Sequence, residues 1–339
     1  MKKNMSIWLA IAIGLVLLLS ACGEKSQEDV MGKLSDNLED MKGYKATAEM
    51  KMDTGNENEV FNIDILHKKD DLYRVQLTTD KKDKESQVIL KNKEGVFVLT
   101  PALNKSFKFQ SEWPENGSQP YLYQSLLNDI EKDEDAVFSS TEEYYVFQTK
   151  TNYQSNNNLP YQEIYFDKNT YTPVHVKVLD KDKKAVVEVK FTSFEMDPEF
   201  KKDAFEIEKN MTSSTSTDVP VTTDSTNSFS VMFPLNTAGA VLAEQIETDL
   251  EDGGTRVIMT FEGEKDFTLV EEQINVEQTL ASPQMVDGEI VNLGFAVGAI
   301  SENSIEWHVN GTDFLLASDE LTREELIEVA TSVQGQEIK

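Results

Sequence analysis

The chain has 339 residues, with 61 Asp and Glu against 32 Lys and Arg, giving a formal net charge of −29 at pH 7. An acidic excess of this size repels phosphate backbones and anionic headgroups, which counts against nucleic-acid binding by counterion release. Its 39% hydrophobic content suits a folded rather than a disordered chain, its length suits two domains, and its single cysteine rules out an intramolecular disulfide and a cysteine-built zinc site.

Lys2 and Lys3 precede an apolar run from Ile7 to Leu19, followed by Ser20-Ala21-Cys22. A basic head, an apolar stretch of about 7–15 residues and small residues before a cut describe a secretory signal peptide, here residues 1–21. The run is shorter than the ~20 apolar residues that cross a bilayer. Cys22, placed directly after the small residues, resembles the lipobox cysteine of bacterial lipoproteins. The resemblance implies a diacylglycerol on the Cys22 thiol, cleavage before it, and room for an N-acyl chain such as palmitate on the new terminus. This covalent lipid is the sole cofactor expected. Two acyl chains anchor stably where one is marginal, at about 0.8 kcal/mol per buried methylene. Cleavage also removes Lys2 and Lys3, so the remaining surface is more acidic still and the lipid must do the anchoring. The expected location is the extracytoplasmic face of the cell membrane.

Residues 22–28 read as a short lipidated tether. The first domain is expected over 29–211, beginning with a helix. Ser26 and Asp29 are spaced as a helix start, Val30, Leu34, Leu38 and Met41 fall on one face, and Gly43 reads as the stop. From Tyr44 the apolar period becomes two: Tyr44, Ala46, Ala48, Met50 and Met52, then Phe61, Ile63 and Ile65, then Tyr73, Val75 and Leu77. Val96 and Val98, Phe107 and Phe109, Tyr145 and Phe147, Ile164 and Phe166, Val174 to Val178, and Val187 to Phe191 continue it. This alternation predicts antiparallel strands with one apolar face. Ser118 reads as the cap of a second helix with Leu122, Leu126, Leu127 and Ile130 as its stripe. Residues 212–227, Ser/Thr-rich with little to bury, read as a linker. A small α+β domain is expected over 228–339. There Ile305, Trp307 and Val309 lead into the Asn310-Gly311 turn and Phe314, and Thr322 with Glu325 forms a capping box. The fold class is α+β: a curved antiparallel sheet wrapped on helices, plus the small C-terminal domain.

Chemistry is sparse. His175 and His308 sit in alternating runs that point them to a wet face, and His67 follows the Phe61 series into a half-buried position. None has a second ligand at metal-binding spacing, so no metal is expected. Asp129, Glu131, Asp133, Glu134 and Asp135 read as a solvated charge run, since they lack the Gly and terminal Glu of a calcium loop. With no Gly-x-Ser-x-Gly elbow and no catalytic residues to name, an enzyme is not expected. What remains is apolar surface. Met50, Met52, Phe61, Ile63, Tyr73, Phe107, Phe109 and Phe147 line either a filled core or a cavity that admits an acyl chain.

Asp71 to Val75, Glu94 to Pro101, and Phe194 to Phe200 continuing to Phe205 resemble the LolA/LolB/RseB superfamily of lipoprotein-handling domains. The chain is also similar to germination lipoproteins of the GerS type. Trp307, Gly311 and Phe314 resemble the strand–turn–strand of a small domain of unknown function (DUF4367-like) that often follows. The resemblance implies a curved half-barrel closed by helices over a cavity for lipid tails, with Arg74 at the position of a lid-holding arginine. It implies an envelope lipoprotein of sporulation or germination that binds lipid or a lipidated protein. The alternative is an RseB-like or GerS-like scaffold or regulator that binds an envelope protein such as a cell-wall amidase. LolA itself is a soluble shuttle, whereas Cys22 would tether this chain permanently, so sorting to an outer membrane is not assumed.

Overall fold

The computed structural model describes residues 25–53, 58–79, 86–109, 112–115, 117–153, 159–212, 231–250, 254–273, 283–286, 288–293, 296–309 and 311–334. Helix α1 (Gln27–Asp40) opens with a capping box: the Ser26 hydroxyl accepts from the Asp29 N–H, and the Asp29 carboxylate accepts from the Ser26 N–H, both at 3.2 Å. Val30 and Leu34 on its inner face are fully buried. The helix ends at Asp40, with Met41 as its cap, so Gly43 is not its stop. Gly43 instead begins β1 (Gly43–Asp53), where a Cβ would lie 2.2 Å from the His67 carbonyl oxygen. The close pairing with β2 (Asn58–Lys68) is what requires glycine there.

The alternating runs form the strands they predict. β1 to β6 make a meander with β3 (Leu72–Thr79), β4 (Ser86–Asn92), β5 (Gly95–Thr100) and β6 (Lys105–Phe109). After helix α2 (Tyr123–Lys132), a second meander runs β7 (Val137–Ser140), β8 (Tyr144–Lys150), β9 (Tyr161–Asp167), β10 (Pro173–Leu179) and β11 (Ala185–Met196). It closes by pairing β11 antiparallel to β1, so the two meanders form one sheet. The even positions of β1 face inward, and α1 and α2 cover that face. Ser118 does not cap α2: the helix starts five residues later, with Leu122 in the cap position and no side-chain cap bond.

The opposite face of β3, β4 and β5 is also covered. Short helix α3 (Ile207–Thr212), with Phe205 and Met211, packs against Val88, Leu90, Phe97 and Leu99. Burial on both faces explains the unbroken runs Val88-Ile89-Leu90 and Val96-Phe97-Val98-Leu99.

A second sheet has the order β13 (Val241–Asp249), β14 (Thr255–Glu262), β15 (Phe267–Gln273), β20 (Thr312–Ala317), β19 (Ser304–Val309), β18 (Val297–Ile300), β17 (Glu289–Asn292). Helix α4 (Arg323–Thr331) packs on one face behind the Thr322/Glu325 capping box, and Trp307 stacks on Phe314 at 4.9 Å. Gly311, at φ +75°, lies in the hairpin between β19 and β20, while Asn310 and residues 213–227 of the expected linker lie outside the described residues. Strand β12 (Phe233–Pro234) pairs with β21 (Val333–Gln334). Strand β16 (Gln284–Val286) leaves this region and joins the first sheet, parallel to β6. Ile290, Val297 and Ala299 likewise pack into the first core.

Candidate functional site

The interior of the first sheet collects the candidate residues. Met50, Met52, Phe61, Ile63, Tyr73, Phe109 and Phe147 are buried in one apolar cluster, and Phe107 packs half-buried against it. Register sets the grouping. Met50 pairs with Phe61, and Ile63 with Leu77, beside the β1–β11 junction. Phe107 and Phe109 lie on β6 near one rim, and Phe147 lies on β8 near the other.

An aromatic chain that periodicity alone did not disclose crosses this interior. Trp113 meets Tyr73 at 5.7 Å, Tyr73 stacks on His67 at 4.4 Å, and His67 meets Tyr44 at 5.2 Å. Tyr44 and Tyr123 lie at 6.5 Å, Tyr123 and Phe166 at 6.1 Å, and Phe166 and Phe147 at 6.0 Å. The hydroxyls join sheet to helices. Tyr73 donates to Gln124 Oε1 at 2.7 Å, Tyr123 donates to the Leu34 and Tyr171 carbonyls, and Tyr44 accepts the Tyr123 N–H at 3.3 Å. Burial lowers the His67 pKa to about 4, so this histidine is neutral at physiological pH.

A polar knot sits beside α2. Asp129 is buried, not part of a solvated run, and accepts from the Ser118 hydroxyl and Gln162 Nε2, both at 2.7 Å. Burial raises its pKa against the pull of those two donors. The Ser118 hydroxyl also accepts the Asn152 N–H, which gives that residue a tertiary role in place of the expected cap. Asp133 accepts from the Lys150 N–H at 2.8 Å. Among the described residues no group of three His, Cys, Asp or Glu is placed to hold a metal.

Arg74 does not face the interior. It alternates with the inward Tyr73 and Val75, and its guanidinium donates to Asn210 on α3 and to Gln76. It therefore fastens α3 to the outer face and makes these bonds away from the helices over the interior. His175 sits on the outer face as expected, 3.2 Å from Glu188 and stacked on Tyr165. His308 is buried rather than wet, with Nδ1 3.0 Å from Asp313. It belongs to a seam between the sheets. Gln87 Nε2 donates to the His308 carbonyl and Gln87 Oε1 accepts the Val297 N–H, both at 3.2 Å, while Lys105 pairs with Asp313 at 3.0 Å. These residues are far apart in sequence, and no local pattern marks the seam. Cys22 lies outside the described residues, and among those described no helix is long and apolar enough to cross a membrane.

These features define an α+β protein built on a large curved antiparallel sheet with few helices and a second sheet joined at its rim. The family described as Sporulation protein YdcC-like matches residues 2–205, and the chain belongs to that family. It is 47% identical over 342 residues to Sporulation protein YdcC of Bacillus subtilis (strain 168), covering 100% of both chains. Among solved structures it is similar to the complex of Pseudomonas aeruginosa MucA/MucB, at 12% identity and a TM-score of 0.33, covering 90% of this chain and 100% of that one. It is also similar to LolA superfamily protein NE2245 from Nitrosomonas europaea, at 9% identity and a TM-score of 0.32, covering 55% of this chain and 99% of that one.

Proposed function

We propose that this chain is a non-enzymatic, membrane-tethered sporulation protein that works in the cell envelope as a binding scaffold for another protein, rather than as a carrier of free lipid. The observation that carries this reading is the state of the interior. Met50 and Ile63 keep 1% of their surface accessible, and Tyr73 and Phe147 keep none. An acyl chain needs wall area that its methylenes can cover, at about 25 cal/mol per Å². These side chains have already spent that area on one another, and the tyrosine hydroxyls that would have to part are bonded across the site.

Native mass spectrometry of the purified full chain, with lipid extraction in parallel, tests this. The expected spectrum carries no acyl species beyond those covalently attached to the protein. A stoichiometric, extractable lipid that is lost on substituting Met50 and Phe61 by tryptophan would overturn the scaffold reading in favour of a carrier. The tether is tested at Cys22→Ala, which should abolish incorporation of labelled palmitate and release the protein from the membrane fraction. Retention of both would refute lipid anchoring.

A further inference from the structure

We infer that the free edge of β13 is a docking strand for an extended, cationic segment of a partner protein, which adds to the second sheet as an eighth strand. The inference deepens the scaffold reading and rests on it. Among the described residues β13 is the outermost strand of its sheet, and all nine of its residues, Val241 to Asp249, are exposed. Val241, Leu242 and Ile246 have 69%, 42% and 45% of their surface accessible. An edge strand of this length presents a row of backbone donors and acceptors that another strand can pair.

Two observations specify the guest. The first is an aliphatic row across one face: Ile246 pairs with Ile258, Ile258 with Val270, and Val270 with Leu315. Ile258, Val270 and Leu315 are only half-buried, while their neighbours Val257, Met259 and Leu269 fill the core on the other face. A guest strand with an apolar residue beside Ile246 extends this row. The second is charge. β13 carries Glu244, Glu247 and Asp249 with no cation, and residues 231–339 hold 22 Asp and Glu against 4 Lys and Arg. A second copy pairing edge to edge would set these carboxylates against one another, and like charges directly opposite destabilise a sheet. The same carboxylates favour a strand whose Lys or Arg residues alternate with the apolar ones.

The experiment is a titration of the purified full chain with a labelled short peptide alternating valine and lysine, against its valine–glutamate counterpart, with hydrogen exchange read in parallel. The lysine peptide is expected to bind, to weaken as salt rises, and to protect amides within 241–249. The double variant Glu247→Lys/Asp249→Lys should weaken it about tenfold and bind the glutamate peptide instead. Unchanged exchange in β14 and β15 shows that the variant is folded. Equal binding of both peptides, protection elsewhere, no binding at all, or a self-associated chain that Ile246→Lys returns to monomer would each overturn the proposal. Those results leave the scaffold reading intact, whereas an extractable lipid in the native spectrum would overturn that reading and leave a bound peptide on β13 unexplained by it.

Discussion

Glu271 gives the sharpest test of how burial and charge compete in the second sheet. Its side chain is fully buried, and its two carboxylate oxygens accept the Met232 N–H at 3.1 and 3.0 Å. Burial pushes its pKa from 4.5 up to about 7, against the opposing pull of that N–H. The folded chain therefore holds a proton that the unfolded chain releases above pH 4.5. Stability from this group is whole below pH 4.5 and is lost as pH rises through 7. A displacement from 4.5 to about 7 corresponds to about 3 kcal/mol lost over that window. Glu271→Gln cannot ionise and should remove the slope. Urea unfolding of both proteins, followed by tryptophan fluorescence at several pH values between 4.5 and 8, measures the difference. Groups titrating elsewhere cancel between the two proteins, and a constant cost of the amide shifts both ends equally. Parallel pH profiles for Glu271→Gln and the parent would refute the reasoning.

Three further substitutions probe the first sheet. Leu34→Ala should cost about 2–5 kcal/mol in urea denaturation, because a fully buried side chain of α1 leaves a cavity against the sheet, and a loss under ~1 kcal/mol would mean that α1 does not pack there. Arg74→Met should cost about 1.5–3 kcal/mol by stranding Asn210 and should speed amide exchange in α3 while leaving α1 unchanged; faster exchange in α1 instead would restore a lid role for Arg74. Asp129→Ala should cost about 1–3 kcal/mol for each polar group it strands at Ser118 and Gln162, measured by thermal and urea melts, and a neutral result would show that water replaces the carboxylate.

Sheet and scaffold bear on function through a shared economy of surface. The first sheet uses its inner face for its own helices and part of its outer face for α3. The second sheet covers one face with α4, and among the described residues β13 stays exposed at its edge. The seam of Gln87, Lys105, His308 and Asp313 joins the second sheet to the first.

Local rules were enough for much of the chain. Side chains on a strand alternate whatever their partner, so Tyr44 to Met52 and Phe61 to Ile65 declared both their state and their inward face. The two capping boxes, Ser26 with Asp29 and Thr322 with Glu325, involve atoms three residues apart and needed no fold to be recognised. Pairing was decided elsewhere. That β11 would return to β1, that β16 would leave its own region for β6, and that β13 would be left uncovered depend on contacts between distant segments. The same is true of side-chain fate. Asp129 and His308 carry polar side chains in ordinary surroundings of sequence, yet one lies buried beside Gln162 and the other at the seam where Gln87 and Lys105 of the first sheet arrive. Alternation with Tyr73 and Val75 turned Arg74 outward, but only the arrival of α3 on that face gave it Asn210 as a partner. Periodicity fixes which way a side chain points relative to its neighbours, but only assembly determines what it meets there.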